Sequence, residues 1–279
     1  MNEDDANLVE QTPVGEIIDN SELKPSPAPI PKKTILSLKG LRRKYGDFEA
    51  VSGIDLDVYS GEIFSLLGPN GSGKTTTIKM IMGLLSSTSG TAQIKGYNCF
   101  SEREVVMSHV GYVPDEPIFY DYLRSSEVVR FVGEMHGMRG IDALNSAMPM
   151  IEQLELTNDM EEFAVNYSRG MKKKLALICA MLHEPEMLIL DEPTNGLDPF
   201  ATRTLHAMLK GYCSRGNTVF FSTHILDQAE RISNRVGILY KGRLAAVGEL
   251  SELKASLNSD SSLEEIFFLV AQKASENAS

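Results

Sequence analysis

Residues Gly68-Pro69-Asn70-Gly71-Ser72-Gly73-Lys74-Thr75 form a glycine-rich run closed by a lysine and a hydroxyl residue. The apolar run Ile63-Phe64-Ser65-Leu66-Leu67 precedes it, and its length predicts a short buried strand. Behind it, Ile78, Ile81, Met82 and Leu85 recur at helical spacing. Strand, glycine-rich loop and helix together make the context of a P-loop. Glycines let backbone N–H groups point at phosphate oxygens, and the helix start adds its unpaired N–H groups. Lys74 is then expected to reach β- and γ-phosphates, and the Thr75 hydroxyl to ligate Mg²⁺. The phosphate-binding set expected is Gly68, Pro69, Asn70, Gly71, Ser72, Gly73, Lys74, Thr75 and Thr76.

A second chemical signal is Met187-Leu188-Ile189-Leu190, an apolar strand ending in Asp191-Glu192. In an open α/β sheet, an acid at such a strand end faces the same crevice as the P-loop. Asp191 is expected to hold Mg²⁺, directly or through water, leaving Glu192 to accept a proton from attacking water. Upstream lies Tyr167-Ser168-Arg169-Gly170-Met171-Lys172-Lys173-Lys174. Ser168 can cap the helix that follows, and its hydroxyl with the Gly170 N–H would suit a γ-phosphate. Read alone, that segment is better explained as an ordinary helix cap.

The elements that must position these groups also read from the chain. Thr34 to Leu38 and Ile54 to Val58 alternate like strands, with a turn at Ser60-Gly61. Thr218 to Ser222 is a further buried strand. Short apolar strands separated by helices suit a mostly parallel sheet covered on both faces. Between the P-loop and Met187 a helical insert is expected, at about 115–182. Its first helix is expected to be capped at Ser125-Ser126-Glu127, with Val128, Val129, Phe131, Val132 and Met135 as apolar positions, and broken at Gly137 and Gly140. A second runs from about Asp142 to Leu154. A third follows Ser168 with Leu175, Ile178 and Met181 on one side. Later come a helix at Leu226 to Ile232, a hairpin of Val236–Tyr240 with Arg243–Val247 around Lys241-Gly242, and a helical tail from Ser251 to about Lys273.

The 279 residues carry 27 basic and 38 acidic side chains, a formal charge of −11. Residues 1–31 hold seven of the acids against Lys24 alone and end in a proline-rich stretch, Pro25 to Pro31. They are expected to form a disordered acidic extension. Nothing resembles a basic nucleic-acid footprint, so no nucleic-acid partner is expected. Cys99, Cys179 and Cys213 lack metal or redox spacing. The longest apolar runs, such as Leu175 to Leu182, are far shorter than a membrane span.

Taken together, the motifs resemble the nucleotide-binding subunit of ABC transporters, over roughly Thr34 to Gly248. Gly68 to Thr75 matches Walker A, and Met187 to Glu192 matches Walker B. Tyr167 to Met171 matches the Leu-Ser-Gly-Gly-Gln signature, with Arg169 at the first Gly and Met171 at the Gln. Asn195-Gly196-Leu197-Asp198 matches the D-loop, Ser222-Thr223-His224 the switch histidine, and Tyr45 the aromatic that stacks on adenine. The Q-loop departs: Tyr112-Val113-Pro114-Asp115-Glu116 has Asp115 at the usual Gln, so Asp115 is expected to offer its oxygen to Mg²⁺.

The resemblance implies a P-loop NTPase core with an antiparallel β subdomain and a helical insert, in a cassette over 32–250, with a tail over 251–279. It implies ATP and Mg²⁺ as cofactors and hydrolysis of ATP to ADP and phosphate. Tyr45, Lys74, Thr75, Asp191, Glu192 and His224 of one copy would bind ATP. Ser168 and Gly170 of a second protomer, in a homo- or heterodimer, would close over the γ-phosphate, and Asp198 would communicate between the two. It also implies a membrane-spanning permease on a separate chain, docking near Asp115 to Tyr122 at the cytoplasmic face of the membrane. Ser262-Leu263-Glu264-Glu265-Ile266-Phe267 looks like the tail of exporter-type ABC-2 subunits. A soluble ABC ATPase acting in regulation or assembly remains the alternative. Arg42-Arg43-Lys44 is expected in a solvated turn, Lys172 to Lys174 on an exposed helix face, and His109, His136, His183 and His206 without a role.

Overall fold

The computed structural model describes residues 33–255 and 262–276. The acidic extension expected at 1–31 lies outside them, as does part of the expected tail. In chain order the elements are β1 (Thr34–Tyr45), β2 (Phe48–Tyr59), β3 (Ile63–Leu67), α1 (Lys74–Ile81), β4 (Ser89–Ile94), β5 (Tyr97–Asn98), α2 (Arg103–Ser108) and β6 (Val110–Val113). Three helices follow: α3 (Ser125–Met135), α4 (Gly140–Gln153) and α5 (Arg169–Met181). The chain then returns through β7 (Met187–Asp191), α6 (Pro199–Ser214), β8 (Thr218–Thr223), α7 (Leu226–Ile232), β9 (Arg235–Tyr240), β10 (Arg243–Glu249), α8 (Leu250–Ala255) and α9 (Leu263–Glu276).

Two sheets carry the fold. Six strands run in the order β10-β9-β3-β8-β7-β6, parallel throughout except for the β9–β10 hairpin. Four antiparallel strands, β2-β1-β4-β5, form the other sheet. The parallel strands are apolar on both faces because both are covered. Along β7, Leu188 and Leu190 join the core shared with the helical insert, and Met187 and Ile189 join the core against the antiparallel sheet. Along β8, Val219 and Phe221 take the first side and Phe220 the second, stacked on Phe64 of β3. The fold is therefore α/β with a mostly parallel sheet, an antiparallel sheet and helices between β6 and β7.

Several local expectations shift. The α3 cap falls at Arg124, whose backbone N–H donates to the Glu127 carboxylate at 2.8 Å. Ser125 and Ser126 are instead buried in the first turn, their N–H groups bonded to Glu162 and Met160 carbonyls. Arg42 to Lys44 lie within β1, not in a turn. The hairpin at Lys241-Gly242 forms as expected, both residues at positive φ.

Candidate functional site

The P-loop hangs between the end of β3 and the start of α1. Gly73 sits at φ 105°, and a Cβ there would lie 2.6 Å from the Ala50 carbonyl. A Cβ on Gly68 would lie 2.4 Å from the Leu239 carbonyl and 2.5 Å from Ser72 Oγ. These two glycines let the loop close against β2 and β9. The β9–β10 hairpin supports it from behind: Gly242 N–H donates to the Ser72 carbonyl (3.0 Å), and Ser52 N–H to the Gly242 carbonyl (2.7 Å).

Lys74 folds back over this loop. Its Nζ donates to the Gly68 carbonyl (2.8 Å) and the Pro69 carbonyl (3.3 Å), and lies 3.4 Å from Glu192 Oε1. His224 Nδ1 approaches the same Glu192 oxygen at 3.0 Å. Residues far apart in sequence thus meet in one triangle. Its carboxylate comes from the end of β7 and its imidazole from the end of β8, the strand beside β7. Glu192 is 6% exposed and sits at φ 47°, a left-handed conformation unusual for a non-glycine residue. Asp191, 1% exposed, accepts from Ser222 Oγ at 2.5 Å.

Among the described residues, the buried Ser72 Oγ in the P-loop and Glu192 Oε2 find no hydrogen-bond partner. A buried polar atom left unpaired is costly and usually marks a missing partner. Together with the glycine cradle and the Lys74 cation, they fit a phosphate chain with its accompanying metal ion.

The family model for ABC transporters matches residues 51–195, more than half of the 279-residue chain and spanning both the P-loop and the β7 carboxylates. The chain belongs to the ABC transporter family. It is 36% identical over 250 residues to the "Probable multidrug ABC transporter ATP-binding protein YbhF" of Escherichia coli, covering 90% of this chain and 42% of that protein. The chain thus spans about two fifths of that relative's length. It is 34% identical over 230 residues to the "Linearmycin resistance ATP-binding protein LnrL" of Bacillus subtilis, covering 82% of this chain and 74% of the relative. A solved structure titled "Structure of ATP binding subunit of ABC transporter" superposes with a TM-score of 0.80 at 32% identity, over 85% of this chain and 99% of that one.

The ABC motifs distribute as follows. Ser168 caps α5, its Oγ accepting from Met171 N–H at 3.2 Å. Gly170 packs against the D-loop, where a Cβ would lie 2.7 Å from the Gly196 carbonyl. Asp198 caps α6, accepting from Phe200 N–H (2.8 Å) and Ala201 N–H (2.9 Å); the Ala201 bond is the main cause holding its carboxyl below the usual range. Tyr45 ends β1 at the tip of the β1–β2 hairpin, half exposed, with the Arg43 guanidinium 4.7 Å from its ring centre. Asp115 accepts from Arg169 Nη2 (3.3 Å) and Asn195 Nδ2 (3.2 Å).

One expectation is overturned. Lys173 is not on an exposed face; it is 2% exposed, its Nζ enclosed by carbonyls of Pro114, Asp115, Asp191 and Glu192. Sequence reading also passed over Ser222 as the partner of Asp191, Asn195 as a partner of Asp115, and Gln228, which accepts from the Thr194 hydroxyl. The strand–helix junction around Ser222 could have signalled the first. The other two depend on contacts between segments that local patterns do not report.

Proposed function

We propose that this chain is the ATP-binding and ATP-hydrolysing motor subunit of an ABC exporter. It works as a head-to-tail pair around nucleotide and drives a membrane-spanning permease carried on a separate chain. The observation that carries this reading is the triangle of Lys74, Glu192 and His224 at the mouth of the P-loop. It supplies a cation for phosphate, a carboxylate for water and a third group contacting that carboxylate. The multidrug and resistance names of the relatives support export.

When bound, Mg²⁺ would neutralise charge on the β- and γ-oxygens. Thr75 and Asp191 are the residues to hold it, with Asp115 joining if it exchanges Arg169 and Asn195 for the metal. Lys74 releases the P-loop carbonyls and pairs with phosphate. Glu192 accepts the proton of the attacking water, and His224 contacts the γ-phosphate. Tyr45 stacks on adenine. Ser168 and Gly170 of the second copy donate to the γ-phosphate from the start of α5, and Asp198 relays between copies. No helix among the described residues is long and apolar enough to cross a membrane, so placement at the cytoplasmic face would come from the permease.

The test is nucleotide titration and Mg²⁺-dependent phosphate release by the purified protein and its Lys74→Ala variant, with co-purification from membranes. The variant is expected to lose ATP binding, and a multi-span membrane protein to co-purify. Undiminished affinity in the variant would overturn the site. ATPase activity without any membrane partner would favour a soluble regulatory or assembly role.

A further inference from the structure

Lys173 is a buried cation that the mechanism above does not use. It lies one turn after Arg169 on α5, so both side chains share a face. Its Nζ lies 2.7 Å from the Asp115 carbonyl, 3.1 Å from Pro114, 3.1 Å from Glu192 and 3.3 Å from Asp191. Three protons thus serve four acceptors from two separate chain segments. The Asp115 carboxylate, 3.7 Å away, is the nearest counter-ion.

Burial this complete is unfavourable for a charged amine. A lysine is kept in such a place only when its partners offset the loss of hydration. Here those partners include the carbonyl of Glu192, the residue held at φ 47°. Such a backbone state persists only when its surroundings over-determine it. Ser222 fixes Glu192 from one side, its carbonyl accepting the Glu192 N–H at 3.2 Å, and Lys173 fixes the carbonyl from the other.

We infer that Lys173 is a positioning residue for Glu192, tying the backbone of the Q-loop to the strained end of β7 so that displacement of one shifts the other. The inference rests on the motor reading above for its catalytic consequence, but the mechanical tie does not. Pro114 also lines the groove between α2 and the helical insert, with Pro117, Ile118 and Phe119. Pressure there would pull on the same ammonium that holds the Glu192 carbonyl. Arg169 strengthens the tie at the surface, pairing with Asp115 at 3.3 Å and Glu116 at 3.6 Å.

Lys173→Met keeps an unbranched stem as far as Cε and removes the ammonium with its charge and donors. In the nucleotide-free protein, hydrogen exchange is expected to rise together at 115–116 and at 191–192. In steady-state assays kcat is expected to fall about 100-fold, the usual consequence of an ångström-scale misplacement, while KM for ATP and the affinity for a non-hydrolysable analogue stay unchanged. Lys173→Gln, which keeps a donor, is expected to recover part of kcat and serves as the variant should Lys173→Met prove insoluble. Unchanged exchange at either segment, or equal losses in kcat and nucleotide affinity with no recovery in the Gln variant, would overturn the inference. If wild-type and Glu192→Gln proteins are equally inactive, the motor reading fails while the exchange measurement still decides the tie.

Discussion

Glu192→Gln is the substitution that separates binding from chemistry most cleanly. In the structure Lys74 is committed to Glu192 at 3.4 Å and to two P-loop carbonyls. A nucleotide must take that lysine away. With an effective dielectric of about 20, a pair at this distance attracts by about 5 kcal/mol. Most of that is offset by the cost of desolvating both charges. A net of about 1–2 kcal/mol is left opposing the incoming phosphates, about 5- to 30-fold in affinity. Glutamine fills the same space without the charge, so ATP should bind that much more tightly. The proton acceptor is lost at the same time, and hydrolysis should fall by about 10²–10⁴. Titration with a fluorescent ATP analogue measures the first effect, single-turnover hydrolysis the second. Size-exclusion chromatography with ATP should also show a trapped pair of subunits. Weaker ATP binding, hydrolysis at the wild-type rate, or a variant that stays monomeric with ATP would refute the reasoning.

Gly73→Ala should abolish nucleotide binding, since its Cβ would sit 2.6 Å from a backbone carbonyl at a φ of 105°; equilibrium dialysis with labelled ATP checks this. Tyr45→Ala should weaken ATP by about 0.5–1.5 kcal/mol, the worth of an aromatic contact, and Tyr45→Phe should leave it unchanged. Asp115→Ala should raise the Mg²⁺ concentration needed for half-maximal ATPase; its ion pair with Arg169 is partly exposed, so stability should change by less than about 1 kcal/mol. Burial pushes the thiols of Cys99 up to about 12 and Cys213 up to about 11. Both should resist alkylation at pH 8 until the protein unfolds. Their neutral forms stabilise the fold below the unfolded value of about 8.5, and that contribution is lost as pH rises toward the folded values. Melting temperatures across pH 8 to 11 test the sign.

What the sequence made legible was whatever local chemistry decides. The P-loop, the apolar β7 and β8, and the Lys241-Gly242 hairpin each depend on neighbouring residues, and each could be read. β4 could not, because Ser89-Gly90-Thr91 carries no apolar alternation and that half of the strand is exposed. Helix α6 has a readable start in Asp198-Pro199, a side-chain cap followed by a proline in the first turn, but the resemblance assigns Asp198 to the D-loop and names no helix there. Lys74, Glu192 and His224 are each named by the motifs, but their meeting in one triangle comes from the order of β3, β8 and β7, which no local pattern specifies. Lys173 failed for a different reason. Three consecutive lysines look like a solvated face, and only the carbonyls across from α5 turn the middle one inward.

That middle lysine changes how the departures from the family pattern are understood. Taken singly, Asp115 adds an acid where an amide is usual and Arg169 adds a cation where a glycine is usual. In space the two touch, and Gly196 leaves the room for it: a Cβ there would lie 3.0 Å from the Arg169 side chain. Charge introduced at one motif is therefore answered at the other, and Lys173 carries the link inward to Glu192. The N-terminal turn of α5 carries Ser168 and Gly170, the two residues proposed to serve a second copy, and through Lys173 it meets the Q-loop and the end of β7. A signal from a permease and a nucleotide shared between copies would act on the same helix end. On that view Asp115→Ala and Lys173→Met should not be additive in kcat, because each loosens one end of a single connection. Additive losses would mean that the two act on Glu192 by separate routes.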